Sequence, residues 1–468
     1  MPLRNLFILI ACLLAGVAAW AARHRDLPGS RINEVLAIIS RSALEPVATR
    51  QLFEAAIQGA VGQLDEHSAY IPRAEQNGFE ALLDQQFGGV GLELVQDEAT
   101  GELVVSSPVV SGPAWQAGIV AGDRIIAIDG QPTQGVPLAR IVGLLRGPIG
   151  TPVTLRIAAA RGTHDPTVRE ETDTATRDAR LERALVTTET VLGDRRRPDG
   201  TWSFRIEDEP DVGLLRITSF GERTAGEIDA ALASLATEPS LRGIVLDLRG
   251  NPGGLLSAAV AVCDRFVQSG VIVATRGRRE GAEEPPLEPR EATAGEMCAG
   301  VPMVVLIDGL TASAAEIVAA CMQDHGRAAI VGSRTFGKGT VQSVVPLGGG
   351  DGLLKLTTAE YVRPRGAAIH RRPDDRDDAT WGVVPDRGAE IAPPAASLER
   401  LRRWRRQRDA VAVPGRPASS ATSMASRAMD EVLAVALDTL AHASVAPTQF
   451  GGEKETARDA DDTVAAGE

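Results

Sequence analysis

Aromatic residues are few: five Trp, two Tyr and nine Phe, 3% of a 468-residue chain. The core must therefore rest on Ala, Val, Leu and Ile. Cysteine is scarcer still, present only as Cys12, Cys263, Cys298 and Cys321. They form no CxxC pair and no Cys/His ligand spacing, which speaks against a zinc site. Cys12 lies in an N-terminal apolar run. The other three read as small buried thiols, with one disulfide among them as the alternative. Positive charge is in deficit, 49 Lys and Arg against 62 Asp and Glu, for a net charge of −13. That balance argues against non-specific binding to nucleic acid. What remains is a globular composition, 44% apolar and 24% charged, long enough for about three domains.

Residues 6–22 form an apolar run after Arg4 and before Arg23-His24-Arg25, and Ala19-Trp20-Ala21 fits an A-x-A cleavage pattern. Residues 1–22 read as a secretory signal peptide. A run of about 17 residues is also the lower limit of a bilayer span. An uncleaved membrane anchor is thus one alternative, and a buried cytosolic helix is another. Either of the first two readings places the body of the protein outside the cytoplasm, in the periplasm or an equivalent space.

Along the chain, residues 30–85 carry apolar positions at helical spacing. Residues 86–160 are β-rich, with strands over 90–95, 103–106, 124–128 and 153–157 and a helix over 138–145. Residues 161–184 are polar, without a period, and read as a linker or insertion. From 185 to 390 short apolar strands (214–217, 244–248, 301–307) alternate with helices (224–235, 255–266, 313–324), the pattern of a sheet covered by helices. Residues 391–468 hold a basic helix at 398–408, expected as a solvated face, an apolar helix at 429–440 and an acidic, disordered tail. No internal repeat is present.

The strongest chemical signal is at residues 304–324, VVLIDGLTASAAEIVAACMQD. An apolar strand meets a tight turn, then small residues, then a helix. Ser313 falls at the helix start, where free N–H groups and the helix dipole favour developing negative charge. A plain N-cap is the alternative. A nucleophilic serine needs a base. His67, His164, His325 and His370 lack any flanking pattern that marks a triad histidine. A lysine held neutral by burial is the other option. Lys338 stands out in Gly332-Ser333-Arg334-Thr335-Phe336-Gly337-Lys338-Gly339-Thr340-Val341-Gln342. Its flanking glycines allow close backbone approach, Phe336 offers apolar shielding, and Gln342 is spaced to orient the amine. A phosphate loop is weakly supported, because Gly339 occupies the Ser/Thr position of that motif. The turn after Leu246-Asp247-Leu248-Arg249-Gly250-Asn251-Pro252-Gly253-Gly254 can aim backbone N–H groups at an oxyanion. An ordinary strand-to-helix turn reads equally well there.

These residues resemble the carboxyl-terminal processing, or tail-specific, proteases. The resemblance rests on LDEHSAYI (64–71), FGGVGL (87–92), GDRI (122–125), LRGP (145–148), LDLRGNPGG (246–254), TASAAE (311–316), TFGKGTVQ (335–342) and GVVPD (382–386), in the family's order. It covers roughly residues 30–390. It implies an α/β fold: a ClpP/crotonase-like peptidase core (185–390) with an inserted β-rich PDZ domain (86–160) and an N-terminal helical cap. It implies Ser313 as nucleophile, Lys338 as general base and Gln342 as the residue that positions the lysine, with no metal or cofactor expected. The oxyanion hole would be the N–H groups of Ala314 and Gly254. Gly89, Val90, Gly91 and Leu92 would hold a substrate's terminal carboxylate, with Arg146 coupling occupancy to the active site. Ala315 stands where the family often has a second serine.

The expected partners are protein or peptide substrates with free C-termini, a regulatory protein for which the acidic tail is a candidate site, and a membrane if the anchor is kept. One rival reading is a proteolytically inactive PDZ scaffold. Another is a crotonase-like acyl-chain enzyme with the same oxyanion hole, which the PDZ pattern and export signal disfavour.

Overall fold

The computed structural model describes residues 28–84, 86–97, 100–159, 176–236, 241–278, 287–293, 297–372, 375–376, 380–411 and 425–443, with positions 10, 13 and 16. The signal or anchor segment therefore lies almost wholly outside the described residues, and the acidic tail and residue 164 lie fully outside them. Among the described residues no helix is long and apolar enough to cross a membrane.

The chain divides into two compact units. The first comprises residues up to 76 together with 342–357. Helices Pro28–Ser42 and Thr49–Val61 lead to a strand, Ala69–Pro72, which pairs antiparallel with the start of strand Gly352–Val362 (Ala69 opposite Lys355). Asp65 organises the turn before this strand. Its Oδ1 accepts the N–H groups of His67 and Ser68 at 2.8 Å, and the Thr357 hydroxyl at 3.1 Å.

The second unit holds residues 77–341 and 358–468. Its centre is a parallel sheet of strands Glu209–Ile217, Gly243–Asp247, Met303–Ile307 and Ala329–Gly332. GIVLD and MVVLI are buried along their whole length, as a sheet covered on both faces demands. Helices Thr224–Ala236, Leu256–Asp264 and Ala314–Asp324 pack on one face. Helix Glu431–Ala443 packs on the other through Val432, Leu433, Ala436, Leu437 and Leu440. Each crossover delivers a turn to the carboxyl ends of the strands, where open α/β sheets place their sites.

The β-rich region is a second sheet, in the order Leu92–Gln96, Leu103–Pro108, Arg124–Ile128, Pro152–Ala158, Thr176–Glu182. The last strand corrects the reading of 161–184 as a linker. Residues 176–182 pair with the whole of Pro152–Ala158 and bury Ala179 and Leu181. Two apolar residues in seven (TRDARLE) were too faint an alternation to register.

The basic helix also differs from expectation. Within Ala395–Asp409, Trp404, Arg405 and Arg408 are buried. Arg408 pairs with Asp194 and with Glu207 (2.9 Å), and Arg405 lies 3.4 Å from Asp194. Both guanidiniums stack on Trp404, 4.7 and 4.8 Å from its ring centre. The face is a desolvated ion network, not a solvated one. Among the described residues Cys263, Cys298 and Cys321 are not joined in a disulfide, and Cys263 and Cys321 are buried.

Candidate active site

Two turns interlock at the carboxyl ends of the central strands. In the first, the Asn251 side chain donates to Ile217 O (2.8 Å) and accepts the Gly253 N–H (2.8 Å), while its carbonyl accepts the Ala312 N–H (2.9 Å). In the second, Asp308 Oδ1 accepts the N–H groups of Gly250 (2.9 Å) and Leu310 (3.0 Å), and the Thr311 hydroxyl donates to Leu248 O (2.9 Å). These bonds bring the Gly253–Gly254 corner against Ser313. A Cβ on Gly253 would lie 2.8 Å from Ser313 Cβ and 3.0 Å from Ala314 N.

Gly254, at φ 145°, is threaded between Gly253 O and Leu255 N, both bonded to the Phe220 backbone. A Cβ there would sit 2.0 Å from Phe220 O. Only glycine fits. With the Gly253 N–H given to Asn251, the N–H groups of Gly254 and Ala314 have no other acceptor among the described residues.

Ser313 immediately precedes helix Ala314–Asp324 with φ 57° and ψ −118°. An ordinary N-cap is extended; Ser313 is not, although it caps this helix in a capping box with Glu316. A non-glycine residue at positive φ costs about 1–3 kcal/mol and recurs at functional sites. Ser313 is 8% exposed.

The residue that the sequence reading missed is Glu316. It is fully buried, and its Oε2 accepts the backbone N–H of both Ser313 and Lys338 at 2.8 Å. The nitrogens of the two candidate catalytic residues therefore lie within twice that distance of each other. Oε1 takes the Gly337 N–H at 2.7 Å and the Thr335 hydroxyl at 2.6 Å. Burial pushes the Glu316 carboxyl above its ordinary value, and these hydrogen bonds pull the other way. The signal was present in the sequence, since Glu316 stands three residues after Ser313 in the spacing of a capping box.

Lys338 is half-buried on a loop with little freedom. Gly337 (φ 87°) lies flat on the Trp381 ring, where a Cβ would be 2.7 Å from Cε3. Arg334 and Arg371 stack on Trp381 at 4.5 and 4.6 Å. A Cβ on Gly339 would meet His370 N at 2.2 Å. Phe336 is 51% exposed, so the apolar wall beside this loop is Trp381 and not the expected Phe336. His325 lies at the far end of the Ser313 helix, where its Nε2 is 2.7 Å from Val271 O. Gln342 belongs to the first unit, and its side-chain amide reaches Thr357 Oγ1 at 3.4 Å. Among the described residues no group of three His, Cys, Asp or Glu could hold a metal.

In the β-rich sheet, Leu92–Gln96 pairs with a strand on one side only among the described residues, which leaves its other edge open. The preceding loop is built tightly. Gly89 pairs with Ala184, Val90 O accepts the Ala114 N–H (2.9 Å), and Gly91 O accepts the Val109 N–H (3.0 Å). Arg146 stacks on Phe87 at 4.5 Å.

Comparison with known proteins agrees with this architecture. Residues 211–387 match the model of peptidase family S41, and residues 104–158 match a PDZ domain. A carboxy-terminal-processing protease of Bartonella bacilliformis is 38% identical over 68% of this chain and 67% of its own length. A carboxyl-terminal-processing protease of Synechocystis is 34% identical over 74% of this chain and 73% of its own. Among solved structures, a photosystem II D1 C-terminal processing protease is 26% identical, with a TM-score of 0.43 over 82% of this chain and 97% of its own. The chain belongs to peptidase family S41, the carboxy-terminal processing serine proteases.

Proposed function

We propose that this protein is an exported endopeptidase that holds substrate C-termini on its PDZ domain and cleaves peptide bonds with Ser313 as nucleophile and Lys338 as general base. The observation that carries the assignment is Glu316 Oε2, which gathers the N–H groups of both residues at 2.8 Å. Neutral Lys338 takes the hydroxyl proton as Ser313 Oγ attacks the scissile carbonyl. The tetrahedral oxyanion accepts the N–H groups of Ala314 and Gly254, each donor contributing roughly 3 kcal/mol. Lys338 returns its proton to the leaving amine, then activates the water that hydrolyses the acyl-enzyme. The substrate's end adds as a strand to Leu92–Gln96, with its carboxylate on residues 89–92 beside Arg146. Export rests on residues 1–22.

Cleavage of an unstructured peptide with a free apolar C-terminus tests the assignment, using wild type, Ser313→Ala and Lys338→Ala. Wild type alone should cut, with both variants folded. Turnover by Lys338→Ala would sink the dyad. Binding without cleavage by all three proteins would point to a scaffold.

A further inference from the structure

We infer that Arg183 is the positioning residue that sets the C-terminal-carboxylate site of the PDZ domain; this rests on the proposal that residues 89–92 and Arg146 form that site.

Arg183 follows strand Thr176–Glu182 and precedes strand Ala184–Thr187, which pairs with Gln86–Gly89. Its guanidinium makes four bonds. Nε donates to Leu145 O (3.2 Å) and Nη2 to Leu144 O (2.8 Å). Nη1 donates to Thr151 Oγ1 and Pro152 O, both at 3.0 Å. The first two acceptors are among the last carbonyls of helix Leu138–Leu145, which ends on Arg146 in an extended conformation with no glycine cap. A cation there completes the helix end and opposes its dipole. The Arg183 backbone closes the same loop, accepting the Gly150 N–H (2.8 Å) and donating to Thr151 O (2.9 Å).

Above the guanidinium lie two glycine layers. A Cβ on Gly147 would meet Arg183 Nε at 2.9 Å, and a Cβ on Gly88 would meet Gly147 O at 2.3 Å. The Gly147 N–H is bonded to Gly88 O at 3.1 Å. Arg183, Gly147 and Gly88 are thus stacked without room for a methyl group between them. The two glycines adjoin the proposed carboxylate ligands: Gly88 leads into residues 89–92, and Gly147 follows Arg146, whose other neighbour Leu145 gives its carbonyl to Arg183. Moving the guanidinium shifts Arg146 and the carboxylate loop together. A lysine, with one point charge and no planar fork, cannot reproduce four bonds in this geometry.

The test is fluorescence anisotropy on the full chain carrying Ser313→Ala, with a labelled apolar-ended decapeptide and its C-terminal amide as probes. With Arg183 intact the free acid should bind tighter than the amide by about tenfold, the scale of one charge-assisted bond. Arg183→Met should collapse that preference to about twofold, chiefly by weakening the acid. Arg183→Lys should resemble it. Thr151→Val, which removes one acceptor and leaves the rest of the staple, should reduce the preference in part and guards against misfolding of Arg183→Met. An undiminished preference in Arg183→Met overturns the inference. So does equal weakening of acid and amide together with a lowered melting temperature, the result of a merely structural staple. Absence of any acid preference with Arg183 intact would refute the carboxylate-site reading itself.

Discussion

Glu316→Gln tests whether the proposed nucleophile and base share one buried anchor. In wild type each carboxylate oxygen accepts two donors: Oε1 from Thr335 and Gly337, Oε2 from Ser313 and Lys338. An amide offers one oxygen and one donor. If its NH2 takes the Oε2 place, two backbone N–H groups are stranded in the interior. If it takes the Oε1 place, the Thr335 hydroxyl can turn and only the Gly337 N–H is orphaned. The second arrangement should win. It costs about 1–3 kcal/mol for the orphan and weakens the remaining bonds by removing their charge. Relief of a buried charge offsets part of this, so the net loss should be about 2 kcal/mol. The nucleophile keeps its anchor but the base loop loosens, and kcat should fall about 10- to 100-fold, or about 1.4–2.8 kcal/mol in the barrier. Urea denaturation and kcat on one peptide measure both. The pH profile adds a sign. Burial raises the folded-state value above that of the unfolded chain. This group's contribution to stability is therefore full below the unfolded value and falls as pH rises through the raised one. The clamp, conversely, loses its charge as pH falls through that raised value. Beyond the loss of neutral Lys338, wild-type kcat should therefore show a further drop on acidification through the raised Glu316 value, and only this further limb should vanish in Glu316→Gln. Wild-type stability and kcat in Glu316→Gln would refute the reasoning.

Gly254→Ala would force a Cβ to 2.0 Å from Phe220 O at φ 145°, and should abolish cleavage while peptide binding to the PDZ domain survives. For Asp430, burial pushes the carboxyl up, but Arg249 and Arg405 outweigh it and hold it at about 2. A depressed value means stability that is present at neutral pH and lost as pH falls through it, here about 2 kcal/mol lost between about pH 4 and about pH 2. Asp430→Asn should lack that acid-sensitive increment in urea midpoints taken across the interval. Leu181→Ala should destabilise the PDZ sheet by about 2–4 kcal/mol, read as faster hydrogen exchange in strand Pro152–Ala158, and unchanged exchange would deny residues 176–182 their place in that sheet.

Elements with strong patterns were legible from the sequence. The helix expected at 138–145 is Leu138–Leu145, and the strand expected at 124–128 is Arg124–Ile128. Fully buried runs such as MVVLI announce themselves because no polar residue interrupts them. Strand Leu287–Glu291 could not be read, since LEPRE is exposed throughout and is a strand only because Val271–Gly277 offers it an edge. The buried arginines of Ala395–Asp409 were misjudged for a related reason: their carboxylate partner Asp194 is about two hundred residues away, and charge alone does not reveal a distant partner. At the site, Ser313 and Lys338 were visible as types in a motif. The carboxylate that joins them was not, because a glutamate in a helix's first turn is usually accounted for by the dipole alone.

The hydrogen bonds argue for a particular division of labour in this unit. Gly254, Ala314 and Ser313 share one frame, since Asn251 and Asp308 tie the two turns through backbone groups at 2.8–3.0 Å. That frame hangs on buried strand ends, where displacement would break several bonds at once. Lys338 is attached differently. Its loop meets the frame through Glu316 and through the Phe336 N–H on Thr311 O (2.9 Å), and it is held from the other side by the Thr335 N–H on Val383 O (3.1 Å), the Arg371 N–H on Gly337 O (2.8 Å) and the Tyr361 N–H on Gly339 O (2.7 Å). The proposed oxyanion donors and nucleophile are thus tied to the central strands, and the proposed base is tied also to the chain at residues 361–383. A displacement of residues 361–383 would therefore reach the proposed base before it reached the proposed oxyanion donors.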